Sequence, residues 1–349
     1  MRHYILRRVG QAALVLLAAY TLAFLLLSAL PGDAVHNKIA DPEAQLTPEA
    51  AKTLLDYYGI DRPLWQQYLS GLGGVLHGDL GFSLTTGMPV SQMLAAALPA
   101  TLQLTALALV FGLLIAAVVA AAINYAPWPW LRGALQGLPP FFASVPTFVI
   151  GILVLQVFSF RWHLIPASDD GSLTALIAPA FTLGILVAAP LSQVFASSIA
   201  ATRGQPFVHV LAARGAGERY IFGRGVLRNS SLPVLTLLGL ACGELIAGSV
   251  VTEAVYARAG LGQLVMVAVN TQDLPVVSGV VIIAAAIYVV ANLLVDLAYP
   301  FLDPRILVTV NAPRTRRTRP ASAPTPRTSA TADVPSARRH VLPAEVAMP

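Results

Sequence analysis

The sequence predicts an all-α polytopic membrane protein, and three observations predict it. Mean hydropathy is +0.70 over the 349 residues. Charged residues make up 11% of the chain, where soluble domains carry about 25%. Six stretches are apolar over the length needed to cross a bilayer, about 20 residues each.

The spans follow in order. The first covers residues 9–30, "VGQAALVLLAAYTLAFLLLSAL". It is longer than the apolar core of a signal peptide and has no small-x-small cleavage site, so it is read as a retained span. The second covers 100–123. The third, 136–160, contains Pro139, Pro140 and Pro146, and the fourth, 173–200, contains Pro179 and Pro190. Proline removes a helical hydrogen bond, so both spans are expected to kink or start late, with neighbouring groups satisfying the freed carbonyls. The fifth covers 232–252 and the sixth 276–300.

Arginine placement orients these spans. Arg2, Arg7 and Arg8 precede the first span with no acid among them. Residues 31–99 then carry seven acids against three bases, while 203–231 carries five arginines and only Glu218. Bases gather in alternate loops, which places both termini in the cytoplasm. Residues 1–8 are then a cytoplasmic N-terminus, 9–307 a six-span domain, and 31–99 an external segment with short amphipathic helices. Residues 308–349 read as a disordered basic cytoplasmic tail. Its part from 312 onward is rich in Pro, Ala, Ser, Thr and Arg with few large apolar residues. Its arginines are read as solvated, with anionic lipid as the alternative contact.

Several chemistries are excluded. The chain has only two lysines, Lys38 and Lys52, and neither sits in the Gly-x-x-x-x-Gly-Lys context of a phosphate loop. ATP is therefore not expected to bind a loop of this kind here, and the chain itself is expected to bind no cofactor. Cys242 is the single cysteine and cannot build a disulfide framework or a thiolate metal site. No His-Glu-x-x-His or Gly-x-Ser-x-Gly motif occurs, and the six histidines scatter outside the spans, so no catalytic or metal site is expected. No nucleic-acid partner is expected. Glu244 and Asp296 lie within spans and Glu253 near a membrane edge. Such groups are functional candidates; the structural alternative pairs Glu244 with a helix neighbour and puts Asp296 near the cytoplasmic end.

The stretch "HVLAARGAGERYIFGRGVLRNSSLPVL" (209–235) is basic, glycine-punctuated and flanked by spans. It resembles the cytoplasmic loop of permease subunits of ABC importers, in their dipeptide/oligopeptide/nickel form. The resemblance continues in "ILRRVGQAALVLL" with "LLLSALPGD", in "YGIDRPLWQQYLSGLGGVLHGDLGFSLTTGMPV" and in "LPATLQL". It is completed by "SVPTFVIGILVLQVF", "GSVVTEAVYARAGLGQLVMVAVNTQDLPVVSG" and "NLLVDLAYPFLDPRI", so that about 1–307 is covered in order. The chain departs from the family's usual Ala-Arg-Ala-Lys-Gly run. Ala212 stands at the usual arginine and Arg214 at the usual lysine. Glu244 stands where small or apolar residues are usual.

The resemblance implies a type I importer permease fold and one half of a pore for di- or oligopeptides, working by alternating access. It implies a second homologous permease, ABC ATPase subunits that carry ATP and magnesium, and an extracytoplasmic solute-binding protein. It implies an ATPase-coupling loop at 203–231, with Leu211, Ala212, Arg214, Gly215, Glu218, Arg219 and Tyr220 at its centre. It also implies an external gate or loop containing Glu253, Gly260, Gly262 and Asp273. The residues agree physically. Residues 207–214 can form one to two helical turns, Gly215 and Gly217 break them, and 218–229 can resume as helix. Leu211, Ala212, Tyr220, Ile221 and Phe222 offer an apolar surface and the arginines polar anchors. Nickel or another small solute is the alternative cargo within the family. An ion-coupled secondary carrier is the alternative class, although the inverted repeats and paired broken helices it would use are not evident.

Overall fold

The protein is described here from a computed structural model covering residues 2–28, 62–167 and 169–302, with 39, 47–49 and 52–53. The Leu-Pro-Gly-Asp stretch, most of 31–61 and the tail at 308–349 lie outside these residues. Among those described, the regular elements are helices, and Phe82 and Pro89 form an isolated antiparallel bridge.

Helix α1 is Arg2–Ser28, and α2, Leu64–Leu76, rests against it. The Tyr20 hydroxyl donates to the Tyr68 carbonyl at 3.0 Å, and the Thr21 and Tyr68 hydroxyls share a bond of 2.8 Å. Helix α3, Val90–Tyr125, begins ten residues before the expected second span. It buries Leu94, Ala97, Thr101, Leu104, Ala108, Gly112 and Ala116, three or four positions apart, as one helical face requires.

That face meets α6, Leu173–Arg203, the most deeply enclosed helix. Small residues let the two backbones approach. A Cβ on Gly184 would stand 2.9 Å from the Ala108 carbonyl oxygen, and one on Gly112 2.5 Å from a Val187 methyl. The Ser172 hydroxyl caps α6 by accepting from the Ala175 amide at 3.2 Å. Helix α6 starts at Leu173, where the fourth span was expected to begin, and runs through Pro179 and Pro190 without a break. Pro179 is buried in the enclosed part of the helix and Pro190 is exposed.

The third span is broken instead. α4, Pro129–Ser144, and α5, Thr147–Arg161, meet at 103° around Val145–Pro146. Pro146 directs Val145 to extended backbone, where it has ψ 123°. After α6, the short α7, Pro206–Ala213, leads into α8, Glu218–Val255, a 38-residue helix widened into a π-helical turn at Ile221–Val226. Helices α9, Leu261–Asn270, and α10, Leu274–Leu302, follow.

Helices α3, α6, α8 and α10 are long and apolar enough to cross a membrane, and α4 with α5 add a fifth crossing if the bent pair counts as one. The sequence count of six included α1, whose apolar part is only Val9–Leu25, at the short end of the roughly 17–25 residues that span a bilayer.

Candidate functional site

Two places gather the residues of interest, one at each end of α8. At its start, α7 opens with Pro206 in the first turn, where the missing amide costs no helical bond. It closes on Gly215, whose φ of +81° is left-handed. The Gly215 amide donates to the Ala212 carbonyl at 2.9 Å, and the Ala216 amide to Leu211 at 3.1 Å. These are the paired bonds of a Schellman turn, and glycine enters that conformation without a Cβ penalty. Gly217 then caps α8, with Glu218 in its first turn beside the positive helix end.

Ala212, Arg214, Gly215, Glu218, Arg219 and Tyr220 are all exposed on this hairpin, and Leu211 is half-buried. Ile221 and Phe222 were grouped with the outward apolar surface, but both pack onto the core of α3, α6 and α8. The outward apolar groups are Phe207, Val210 and Tyr220. The π-helical turn brings Gly225 under α7, where an added Cβ would meet Phe207 at 3.3 Å and Leu211 at 3.6 Å. Phe222 packs edge-on against Tyr125 with centroids 5.3 Å apart, and the Arg203 guanidinium lies 4.4 Å from the same ring. Arg203 also donates to the Asn124 carbonyl at 2.8 Å, near the end of α3. The exposed hairpin is thus seated directly on the ends of α3 and α6.

At the far end of α8, the structure joins Glu253, Gly260 and Gly262. Glu253, two residues before the end of α8, is wholly buried. Its carboxylate accepts from the Gly262 amide at 2.7 Å, the Gln263 amide at 3.3 Å and the Thr101 hydroxyl at 2.6 Å. Thr101 Oγ1 in turn accepts from the Leu261 amide at 2.8 Å. Free amides of the first turn of α9 are therefore capped by side chains from α8 and α3. The glycines make room. A Cβ on Gly260 would lie 2.4 Å from the Glu253 carboxylate, and one on Gly262 2.4 Å from the Val250 Cα.

Asp273 sits apart from this group. Its carboxylate receives the Ser83 hydroxyl, the Leu84 amide at 3.1 Å and the Thr85 amide at 3.2 Å, pinning the segment before α3 to the α9–α10 turn. Arg258 is 5% exposed. It pairs with Asp169 at 3.1 Å and donates to Gln103 at 3.3 Å. Tyr256, next to the end of α8, bonds Thr182 at 2.9 Å. Burial pushes its phenol up to about 12. Thr101, Gln103, Asp169 and Ser83 were not singled out from sequence. Their partners lie 152, 155, 89 and 190 positions away, and no local pattern marks such a pairing. Among the described residues no three His, Cys, Asp or Glu side chains converge as a metal site would require. Glu244 is exposed and, among the described residues, pairs with no helix neighbour.

The helical bundle, four or five of whose helices are long and apolar enough to cross a membrane, thus carries an exposed, structured hairpin at one end of α8 and a buried polar cluster at the other. Its first 105 residues match the N-terminal family of binding-protein-dependent transport system membrane components, and residues 108–308 match the binding-protein-dependent transport system inner membrane component family. The chain belongs to that family. The dipeptide transport system permease protein DppB of Lactococcus lactis subsp. cremoris (strain MG1363) is 32% identical over 307 residues, covering 88% of this chain and 99% of that one. DppB of Escherichia coli (strain K12) is 31% identical over 337 residues, with the same shares covered. The glutathione transport system permease protein GsiC of Salmonella paratyphi A (strain ATCC 9150 / SARB42) is 32% identical over 311 residues, again covering 88% and 99%. The chain is therefore a multi-pass inner-membrane permease subunit of an ABC importer, with the type I permease fold. It is non-catalytic. ATP hydrolysis belongs to separate subunits, and the system includes a solute-binding protein. The ion-coupled carrier reading gives way to this family.

Proposed function

We propose that this chain forms half of a translocation pore for di- and oligopeptides, paired with a second homologous permease and driven by ABC ATPases docked at 203–231. The observation that carries the substrate is the similarity to dipeptide and glutathione permeases along 99% of their lengths. The observation that supports the docking is the Schellman hairpin at Gly215, which holds Ala212, Arg214, Glu218, Arg219 and Tyr220 outward on a short rigid element. ATP-driven closure of the ATPases rocks the permeases outward, the binding protein delivers solute, and hydrolysis restores the inward state. ATP and magnesium stay on the ATPases; this chain binds no cofactor. Both termini are cytoplasmic, with 1–8 as the N-terminus, 9–307 as the permease domain and 308–349 as a basic tail that reaches water or anionic lipid. The segment 31–99 and the Glu253, Gly260, Gly262 and Asp273 region face outward as the external gate, next to the binding protein.

The test is reconstitution of the full complex with its binding protein and ATPases. Wild type is expected to accumulate dipeptides in an ATP-dependent way. Reversing Arg214 or Arg219 to glutamate is expected to lower ATPase co-purification or solute-stimulated hydrolysis while the two permeases still associate. Wild-type transport in both variants would refute the docking. Uptake of nickel with no uptake of peptide would refute the substrate.

A further inference from the structure

Glu244 is an ionisable side chain in the middle of the fifth expected span, on α8. It lies eleven residues before the end of the helix at Val255, hence about 16 Å below that end at about 1.5 Å per residue. A bilayer core is about 30 Å thick, so Glu244 sits close to its midplane. The side chain is exposed, and among the described residues it has no hydrogen bond or ion pair.

Its surroundings narrow what can face it. Pro233, Thr236, Leu240, Glu244, Ala247 and Val251 form one exposed stripe along α8, spaced by three or four residues as a single face requires. The other faces are occupied, because α8 packs against α3, α5, α6, α9 and α10. A carboxylate at the midplane is costly against acyl chains, and such groups face a bundle interior or a water-filled cavity. Water at that depth inside a transport subunit is water in the solute path. There a carboxylate favours cationic donors, which make charge-assisted hydrogen bonds to it. The residues bracketing Glu244 are apolar or small and fit side chains of varied shape.

We propose that Glu244 is a solute-contacting site on the translocation path, which takes the ammonium group of a passing solute. This rests on the reading of the chain as a peptide permease, whose cargo carries an N-terminal ammonium at neutral pH. A single charge contact holds the amino end of a peptide without reading its side chains, and it is weak enough to release.

The experiment uses the complete complex with its binding protein, in proteoliposomes, and Ala-Ala with a free amino terminus as the probe. E244Q, close in size to the native side chain, is expected to lower dipeptide uptake about tenfold, the worth of one charge-assisted hydrogen bond. E244D is expected to restore part of it. Capture of Ala-Ala by the binding protein and ATPase association are expected to be unchanged. In a Cys242→Ser background, Glu244→Cys is expected to react with a charged, water-soluble thiol reagent and to be protected while Ala-Ala is being transported. Wild-type uptake by E244Q, or an unreactive Glu244→Cys, overturns the proposal. Loss of the second permease from purified E244Q also overturns it, since the carboxylate would then be a subunit contact. If the wild-type complex itself moves no dipeptide, the peptide reading fails and the proposal falls with it.

Discussion

At the scale of single residues, the buried cap around Glu253 shows why two glycines stand in "AGLG". Nine positions separate Glu253 from the Gly262 amide that it holds, and Gly260 leaves the space its carboxylate fills. Gly260→Ala is expected to force the carboxylate aside and destabilise the fold by about 1–3 kcal/mol, as overpacking does elsewhere. Glu253→Ala leaves the Gly262 and Gln263 amides without their acceptor, at about 1–3 kcal/mol for each donor left unmade. Thermal unfolding of the purified complex in detergent would measure both. A midpoint within a degree of wild type for Glu253→Ala would show that the cap does not hold α9. Asp169→Asn offers a second check. It removes the charge paired with Arg258, a buried guanidinium that also donates to the neutral Gln103 amide and interacts with the Glu253 carboxylate. Breaking a buried pair costs about 3–5 kcal/mol when one charge is left behind. The 20% exposure of Asp169 lowers the expectation toward the bottom of that range.

At the scale of elements, the α7 hairpin and the α3–α6 pair make separate predictions. Gly215→Pro removes the amide that donates to Ala212 and imposes a negative φ where +81° is found. The helices of the bundle do not depend on that turn. Membrane levels and permease pairing are therefore expected to persist while coupled transport is lost, as read by ATPase pull-down and solute-stimulated hydrolysis. Full transport by Gly215→Pro would show that the hairpin's shape is irrelevant. Gly184→Val acts in the opposite way. Its Cβ would meet the backbone carbonyl of Ala108 at 2.9 Å, which cannot move without separating α3 from α6. Reduced amounts of folded protein in the membrane are expected, with the hairpin intact; normal yield and melting would remove the close packing from the account.

At the scale of the molecule, orientation ties both ends of α8 to function. Cysteines introduced at Gln45 and Thr271, with Cys242 replaced by serine, are expected to react with an impermeant reagent from outside. Those at Ala216 and Ala330 are expected to react only after permeabilisation. External labelling of Ala216→Cys would invert the topology and end the ATPase-docking reading. The tail makes a further prediction, because the family matches end at residue 308. Deletion of 313–349 is expected to leave assembly and transport at wild-type levels, and complete loss of uptake at normal abundance would assign it a role.

The sequence by itself determined the class of the protein, since apolar length and arginine bias are local quantities set by the bilayer and by charge. It also located the hairpin, because glycines such as Gly215 and Gly217 break a helix within a few residues. Helix continuity was decided by tertiary structure: Pro179 and Pro190 are accommodated in the enclosed α6, whereas Pro146 coincides with a 103° bend. The long-range polar pairings were likewise decided only in three dimensions. Glu253 with Thr101, Arg258 with Asp169 and Asp273 with Ser83 are joined across 89 to 190 positions. Burial makes each of these groups seek a partner, and only the packing of α3, α8, α9 and the loops beside them determines which partner is within reach.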